Sequence, residues 1–344
     1  MNLAAGRAIA PNRPLGYIAA MTWLITGAAG FIGYHVAEAL LARGEAVLGI
    51  DNLNDYYAVE LKRARLSRLG NHNRFEFREC DIAEFETLRQ VVSGQPVRRI
   101  VHLAAQAGVR YSLKNPQAYI RSNVLGHVNV LEIARGFDGL EHLCYASSSS
   151  IYGGRADLPF RETDRADRPV SLYAATKRAD ELISHTYAHL YRMPLTGLRF
   201  FTVYGPWGRP DMAYWTFTRD IIAGTPIEVF NSGDMLRDFT YIDDIVDGVL
   251  KIATTGPVSE SDVPHSIYNI GNNRPEKLND FIAILEKLIG RKARRIDRPM
   301  QPGDVPATYA DIEAIRRDYG IAPTTTLEAG LSRFVGWFRQ YHNL

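Results

Sequence analysis

The sequence has few of the features that mark secreted or membrane proteins. Its 344 residues include only two cysteines, Cys80 and Cys144, too few for a disulfide framework. Each lies in an apolar, strand-like stretch, which predicts buried free thiols in a reducing, cytoplasmic compartment. No uninterrupted apolar run approaches the length of about 18 residues that a membrane-spanning helix requires. We therefore expect no membrane span.

An excess of charge of one sign is also lacking. Lysine and arginine number 40 against 38 acidic residues, so the formal net charge is only +2. That balance gives no electrostatic case for a nucleic-acid partner. The basic run at residues 291–295 is interpreted as a solvated face. The histidines show no metal-ligand spacing, and we predict no metal site.

The pattern along the chain predicts an α/β fold. Residues 1–21 lack the apolar segment of a signal peptide and are expected to form a disordered or loosely docked extension. From residue 22 to 205, short apolar runs alternate with helical patterns, which indicates parallel βαβ units. Residues 206–344 have shorter elements and are expected to form mainly a smaller lobe, with later segments returning to the first domain. The predicted strands are 22–26, 46–50, 74–78, 99–103, 142–146 and 195–201, and the predicted helices are 33–43, 84–93, 116–135 and 172–191.

A glycine-rich turn follows the first predicted strand. Gly27 allows the tight turn, Gly30 lets the backbone approach a pyrophosphate, and Gly33 permits close packing of helix on strand. The helix N-terminus would then face the phosphates with its free amides. Asp51 ends the next strand, where a carboxylate binds the adenosine ribose hydroxyls and repels a 2′-phosphate, so NAD is favoured over NADP. The alternative is a turn with a purely structural role.

Tyr173 and Lys177 lie four residues apart and would share one face of a helix. Free tyrosine has a pKa of about 10, and a neighbouring ammonium favours the phenolate. The pair therefore suits a general base that works near neutral pH. Alone, the same spacing is equally consistent with an ordinary amphipathic helix.

Together the glycine turn and the Tyr-x-x-x-Lys pair resemble the extended short-chain dehydrogenase/reductase family. The resemblance implies a Rossmann-type doubly wound parallel sheet, a tightly bound NAD that each cycle regenerates, and a homodimer formed through two helices per subunit. It implies Ser148, at the end of the fifth strand, as the catalytic partner of Tyr173 and Lys177. The further cofactor contacts that it implies are Phe31, Ile32, Asn52, Asp81, Ile82, Leu103, Ala104, Ala105, Gln106 and Asn123. Asn123 also occupies the family's structural asparagine position on a helix.

Residues 237–244 resemble the nucleotide-sugar branch of that family, in which the arginine, here Arg237, holds the substrate diphosphate. Gln301 departs from the wider epimerase pattern, which often has a second phosphate-binding arginine there; Arg298 is nearby in sequence. Residues 51–57, 107–112, 200–212 and 301–306 look like those of UDP-glucuronate 4-epimerases. The substrate contacts expected on this basis are Ser149, Ser150, Thr202, Arg209, Arg237 and Arg110.

The resemblance implies conversion of UDP-glucuronate to UDP-galacturonate through a 4-keto intermediate. Such an intermediate is a β-keto acid that loses carbon dioxide easily, so the C6 carboxylate must be held out of alignment. We expect Arg209 and Thr202, helped by Ser149 and Ser150, to hold it; the alternative for Arg209 is a surface salt bridge with Asp211. The rival functions are a UDP-hexose 4-epimerase, a UDP-glucuronate decarboxylase, a 4,6-dehydratase and a non-catalytic NAD-binding regulator.

Overall fold

The computed structural model describes residues 22–259, 261–300 and 305–344. The strands over these residues are β1 (Thr22–Thr26), β2 (Ala46–Asp51), β3 (Phe75–Glu79), β4 (Val97–His102), β5 (His142–Ser148), β6 (Leu195–Phe200), β7 (Thr202–Tyr204), β8 (Ile227–Phe230), β9 (Leu236–Tyr241), β10 (His265–Ile270), β11 (Pro275–Lys277), β12 (Arg295–Arg298) and β13 (Ala307–Thr308). The helices are α1 (Phe31–Ala42), α2 (Val59–Leu69), α3 (Phe85–Val92), α4 (Pro116–Tyr119), α5 (Gly126–Arg135), α6 (Leu172–Tyr191), α7 (Ala213–Ala223), α8 (Ile242–Thr255), α9 (Leu278–Ile289), α10 (Glu313–Tyr319) and α11 (Leu327–His342). A π-helical segment, Ile120–Leu125, joins α4 to α5.

Seven strands form one parallel sheet in the order β10-β6-β5-β4-β1-β2-β3. The chain winds outward from β1 in one direction and then, from β4, in the other. This is the Rossmann-type, doubly wound arrangement predicted from the sequence, and that prediction is confirmed. The reversal between β1 and β4 creates a crevice at the carboxyl ends of the strands.

Helices cover both faces of the sheet, as a parallel sheet requires. Alternate side chains of β1 enter opposite cores: Trp23 and Ile25 join the core that includes α1 and α8, and Leu24 joins the core that includes α3 and α5. All three side chains are buried. Cys80 and Cys144 are buried free thiols, as expected.

The six predicted strands are present with ends shifted by no more than two residues, whereas no range was predicted for helix α2 or for the elements beyond residue 205, β10 among them. Helix α2 is rich in basic residues and buries Lys62 and Arg65 among its leucines, so its apolar periodicity is weak. Strand β10 pairs with β6 in parallel, from His265 opposite Leu195 onward. A segment beyond residue 205 therefore returns to the main sheet.

The smaller lobe is built around β9. This strand pairs with β7 and β13 in parallel and with β11 in the antiparallel sense, while β8 pairs with β12. The Asp238 carboxylate, fully buried, accepts backbone N–H bonds from Asn272 at 2.7 Å and from Asn273 and Ala310 at 3.0 Å each. One side chain thus joins three segments of the lobe. No helix among the described residues is long and apolar enough to cross a bilayer.

A buried ion pair fixes α6 to the sheet. Arg199 of β6 donates to the two carboxylate oxygens of Glu181 of α6, at 2.8 and 3.0 Å. Ser147 donates to the same carboxylate at 2.7 Å. Burial raises the pKa of Glu181, but its bonds with Arg199 more than offset this, so the net pKa is lowered.

We expect Arg199→Met to cost about 3–5 kcal/mol of unfolding free energy, because it leaves Glu181 charged and buried without its main partner. Urea unfolding measures this. Arg178→Met is the matched control, since Arg178 also donates to Glu181 but its side chain is 29% exposed, and it should cost less than about 1 kcal/mol. Equal losses in the two variants would contradict the assignment.

Candidate functional site

A cleft of about 990 Å³ lies where the ends of β1, β2, β4 and β5 face the smaller lobe. It coincides with the reversal of strand order, where open α/β sheets bind ligands. All the sequence-predicted site residues except Asn123 line it. They are Gly27, Gly30, Phe31, Ile32, Gly33, Asp51, Asn52, Asp81, Ile82, Leu103, Ala104, Ala105, Gln106, Arg110, Ser148, Ser149, Ser150, Tyr173, Lys177, Thr202, Arg209 and Arg237.

The glycine turn has no room for side chains. Gly27 has a φ of +74°, and a Cβ there would come within 2.7 Å of the Ala104 backbone nitrogen. A Cβ on Gly33 would overlap the Gly27 carbonyl oxygen. Gly30 precedes α1, and no side chain caps this helix. The turn therefore presents bare backbone and the positive end of the helix to the cleft.

Asp51 ends β2 at the rim of the cleft. Its carboxylate accepts backbone N–H bonds from Ala29 at 3.2 Å and Leu53 at 2.9 Å. Lys62, which the sequence reasoning missed, places its buried ammonium 3.9 Å from Asp51 and donates to Asn54 at 2.9 Å. Burial lowers the pKa of Lys62, and Asp51 counteracts part of that shift.

Asn123 does not line the cleft. Its buried amide accepts from the Gln106 backbone N–H at 2.8 Å and donates to the Gln106 carbonyl at 3.1 Å and to Thr176 at 3.0 Å. These bonds tie the loop after β4 to α6. This bonding is consistent with the structural position that the family resemblance gives Asn123, and its role as a cofactor contact stays a prediction.

The cradle fits a dinucleotide. The tightly packed glycine turn at the start of α1 suits a diphosphate, and the carboxylate of Asp51 suits ribose hydroxyls. Asp81 and Ile82 follow β3, and Leu103 follows β4, at the same edge of the sheet. These residues could hold NAD.

Tyr173 and Lys177 lie in the first two turns of α6, which Ser171 caps by accepting the Ala174 N–H. The Lys177 ammonium is buried and donates to the Ala146 carbonyl at 3.0 Å and to Asp180 at 3.0 Å. The bond to Ala146 holds this turn of α6 against the end of β5.

Asp180 is a partner of Lys177 that the sequence reasoning missed. Its carboxylate is fully buried, and burial raises its pKa to about 6 despite the attraction of Lys177. The spacing of three residues on one helix was a readable signal for the pair.

Ser147 and Ser148, the last two residues of β5, face opposite ways. Ser148 donates to the Ser150 hydroxyl at 3.1 Å and accepts the Ser150 N–H at 3.2 Å, in the wall of the cleft. Ser147 instead bonds Glu181. The choice of Ser148 as the predicted catalytic serine is consistent with this geometry.

Arg209 forms the salt bridge with Asp211 that the sequence left open as an alternative. Its Nε lies 3.1 Å from one carboxylate oxygen and its Nη2 lies 2.5 Å from the other. Tyr56 donates to the same carboxylate at 3.1 Å. Burial lowers the pKa of Arg209, but Asp211, with further contributions from Tyr56 and Tyr173, raises it overall. The pair lines the cleft near Tyr173 and is not a remote surface bridge.

The opposite wall carries the predicted diphosphate residue. Arg237 of β9 donates to the carbonyls of Leu236 at 2.8 Å and Pro306 at 3.1 Å. The Arg110 guanidinium lies 5.1 Å from the centre of the Phe230 ring, so these two side chains meet across the cleft.

Arg298, which is near Gln301 in sequence, lies outside the cleft lining. It bonds Glu228 at 2.9 and 3.1 Å. Gln301 lies outside the described residues. Within those residues, no three histidine, cysteine or acidic side chains are grouped to hold a metal ion.

A family model described as the NAD dependent epimerase/dehydratase family matches residues 23–271. UDP-glucuronate 4-epimerase 2 of Arabidopsis thaliana is 48% identical over 330 residues, covering 93% of this chain and 76% of that protein. Protein CapI of Staphylococcus aureus is 47% identical over 334 residues, covering 94% of this chain and 99% of that protein.

A solved structure agrees in fold. UDP-glucuronic acid 4-epimerase from Bacillus cereus, in complex with UDP-glucuronic acid and NAD, superposes with a TM-score of 0.84 at 32% identity. The match covers 93% of this chain and all of that one. The family resemblance inferred from the sequence motifs is confirmed.

We expect Gly33→Ala to lose most of its bound dinucleotide, because the added Cβ forces the Gly27 carbonyl out of the turn. The measurement is the amount of NAD released from purified, denatured protein. Gly336→Ala is the control: Gly336 lies inside α11 with nothing within 4 Å of an added Cβ. Full dinucleotide content in Gly33→Ala would show that the turn does not cradle the diphosphate.

Proposed function

The chain belongs to the NAD-dependent epimerase/dehydratase family, and on that premise we propose that it interconverts UDP-glucuronate and UDP-galacturonate by inverting carbon 4 of the sugar. The observation that carries this assignment is an arginine, Arg209, in the same cleft as the Tyr173–Lys177 pair. A neutral hexose offers this guanidinium no charge, whereas a uronate does. The 48% identity to a UDP-glucuronate 4-epimerase over nearly the whole chain supports the same choice.

The glycine turn and Asp51 would hold NAD along the carboxyl edge of the sheet. When bound, NAD supplies the reversible hydride acceptor that oxidation at carbon 4 requires. The chain's own residues then have three tasks: to move one proton, to anchor the nucleotide, and to hold the sugar carboxylate.

Tyr173 moves the proton. As phenolate it takes the proton of the 4-hydroxyl, directly or through Ser148, and returns it when the ketone is reduced on its other face. The buried charge of Lys177 favours the phenolate electrostatically. Ionised Asp180 offsets part of that charge and also orients the ammonium.

The two walls of the cleft hold the two ends of the substrate. Arg237 binds the diphosphate, because a guanidinium pairs well with phosphate oxygens, and it keeps the nucleotide in place while the sugar turns. Arg209 and Thr202 bind the C6 carboxylate, with Ser149 and Ser150 as further donors. Arg110 adds positive charge at the mouth of the cleft.

The residues disfavour the rival reactions. The dehydratases of this family carry Asp-Glu directly after the catalytic serine or threonine, and the decarboxylases carry a glutamate in that stretch. Here Ser149 and Ser150 occupy it. A non-catalytic regulator would be expected to lack Ser148, Tyr173 or Lys177, and all three line the cleft.

We expect the purified protein to convert UDP-glucuronate to UDP-galacturonate, and Tyr173→Phe to reduce turnover by about 10²–10⁴-fold, the usual contribution of a positioned acid/base. Chromatographic separation of the epimers measures both. Tyr187→Phe is the control, because Tyr187 lies on the same helix but bonds Glu132, outside the cleft. Absence of UDP-galacturonate from the unmodified protein, or epimerisation of UDP-glucose alone, refutes the proposal.

We also propose a division of labour and an assembly. Residues 22–205, with β10, form the NAD-binding domain, and residues 206–344 form mainly the nucleotide-sugar lobe. The homodimer forms through α5 and α6, where Leu125, Leu182 and Leu190 are 46–60% exposed. Its proposed location is the cytoplasm, consistent with two free buried thiols.

Light scattering should give twice the chain mass of 38.6 kDa. Leu182→Glu should shift the protein toward monomer, because it places a charge in the apolar contact. Val258→Glu, at a side chain that is 40% exposed away from α5 and α6, should leave the dimer intact. A monomeric unmodified protein excludes this assembly.

A further inference from the structure

The orientation of Arg209 is fixed by Asp211, its salt-bridge partner, and by two tyrosines that the sequence did not connect with it. Asp211 binds one edge of the guanidinium through both oxygens, at 3.1 and 2.5 Å. Tyr56, which lies 155 positions earlier in the chain, donates to Asp211 at 3.1 Å. The Arg209 backbone N–H donates to the Tyr214 hydroxyl at 2.8 Å.

Arg65 holds the backbone immediately before Arg209. Its fully buried guanidinium donates to the carbonyls of Trp207 at 2.6 and 3.1 Å and of Gly208 at 2.8 Å. It also donates to the Ala29 carbonyl in the glycine turn at 2.8 Å. Trp207 has a φ of +58°, so this loop holds a backbone conformation that few side chains favour.

Asp211 leaves part of Arg209 available to a ligand. A guanidinium has five N–H donors, and the bonds to Asp211 use two of them. The donors on Nη1 have no acceptor among the described residues. The two side chains are 24% and 32% exposed, so the pair opens on the cleft.

Orientation matters because of the chemistry of the 4-keto uronate. If the C5–C6 bond aligns with the C4 carbonyl, the bond breaks and carbon dioxide leaves. The electron pair of the bond then forms an enolate at C4, which takes a proton at C5 to give a 4-keto pentose. A carboxylate held by a fixed guanidinium cannot rotate freely into that alignment.

Resting on the proposed function, we propose that Asp211, held by Tyr56, is a positioning residue that keeps Arg209 in the orientation that prevents decarboxylation. Asp211 also brings a negative charge to a site for an anionic sugar, so it weakens the attraction for the substrate. Asp211 therefore favours epimerisation over decarboxylation, and it does not strengthen substrate binding. Replacing a residue with a merely structural role would not be expected to increase decarboxylation while leaving substrate affinity unchanged.

The test compares Asp211→Asn and Tyr56→Phe with the unmodified protein, using UDP-glucuronate labelled at C6. Released carbon dioxide and UDP-galacturonate are counted in the same reaction. Tyr111→Phe is the matched control: the Tyr111 ring lies 4.9 Å from that of Tyr56, but its hydroxyl accepts a bond from Asn115. Thermal unfolding of each variant verifies that it is folded.

We expect the ratio of carbon dioxide to epimer to rise about tenfold in Asp211→Asn, equivalent to about 1.4 kcal/mol between the two barriers. Its KM should be unchanged or lower, because a repulsive charge is gone. Tyr56→Phe should raise the ratio by a smaller factor, and Tyr111→Phe should not change it.

An unchanged ratio in both Asp211→Asn and Tyr56→Phe, with both variants folded, overturns the proposal. So does a ratio that rises equally in Tyr111→Phe. If the unmodified protein forms no UDP-galacturonate, the proposed function has failed instead, and the two failures are thereby distinguished.

Discussion

The interaction on which the site depends is the buried ammonium of Lys177, held between the Ala146 carbonyl and the Asp180 carboxylate at 3.0 Å each. A buried charge is tolerated only when it is paired and hydrogen-bonded. Because Ala146 belongs to β5 and Asp180 to α6, satisfying this charge sets the helix against the strand. That contact places Tyr173 at the same edge of the cleft as Ser148, which follows two residues after Ala146. The position of Tyr173, the proposed catalytic residue, therefore depends on the hydrogen bonds that satisfy the buried Lys177 ammonium.

Two further cations, Arg65 and Lys62, are also buried and hydrogen-bonded. Arg65 is fully buried, and its four named acceptors (three backbone carbonyls and the Tyr57 hydroxyl) are all neutral. Lys62 is buried beside Asp51 at 3.9 Å. Among the described residues that line the cleft, five cations are matched by five carboxylates: Lys62, Arg110, Lys177, Arg209 and Arg237 against Asp51, Asp81, Asp211, Asp220 and Glu228.

Much of the fold and the list of cleft residues could be predicted from the sequence. Strand β1, the glycine turn and Asp51 belong to one βαβ unit. Their relative positions therefore follow from the backbone geometry of that unit. The features that could not be predicted each have a physical reason. Helix α2 was not predicted because its buried face includes Lys62 and Arg65. These charged residues interrupt the apolar periodicity by which a helix is read from the sequence. A motif position does not tell whether the Asn123 amide bonds a ligand or only the loop beside it, where it bonds Gln106. The bond from Tyr56 to Asp211 spans 155 residues, and only tertiary structure brings such partners together.

Two long-range contacts tie the loop that carries Arg209 to the cofactor-binding half of the molecule. Arg65 joins the Trp207 carbonyl to the glycine turn, and Tyr56, which follows β2 and Asp51, holds Asp211. The group proposed to hold the sugar carboxylate therefore takes part of its position from the cofactor-binding half of the molecule, in addition to the bond from its own backbone N–H to Tyr214 of α7. In the proposed reaction the sugar ring rotates about its diphosphate. That rotation requires the Arg209 loop and the cofactor-binding half to keep a fixed position relative to each other. Under the proposed function, the attachment of the Arg209 loop to the cofactor-binding half keeps carbon 4 within reach of the reacting groups. The diphosphate, held by Arg237 on the opposite wall, is the point about which the sugar rotates.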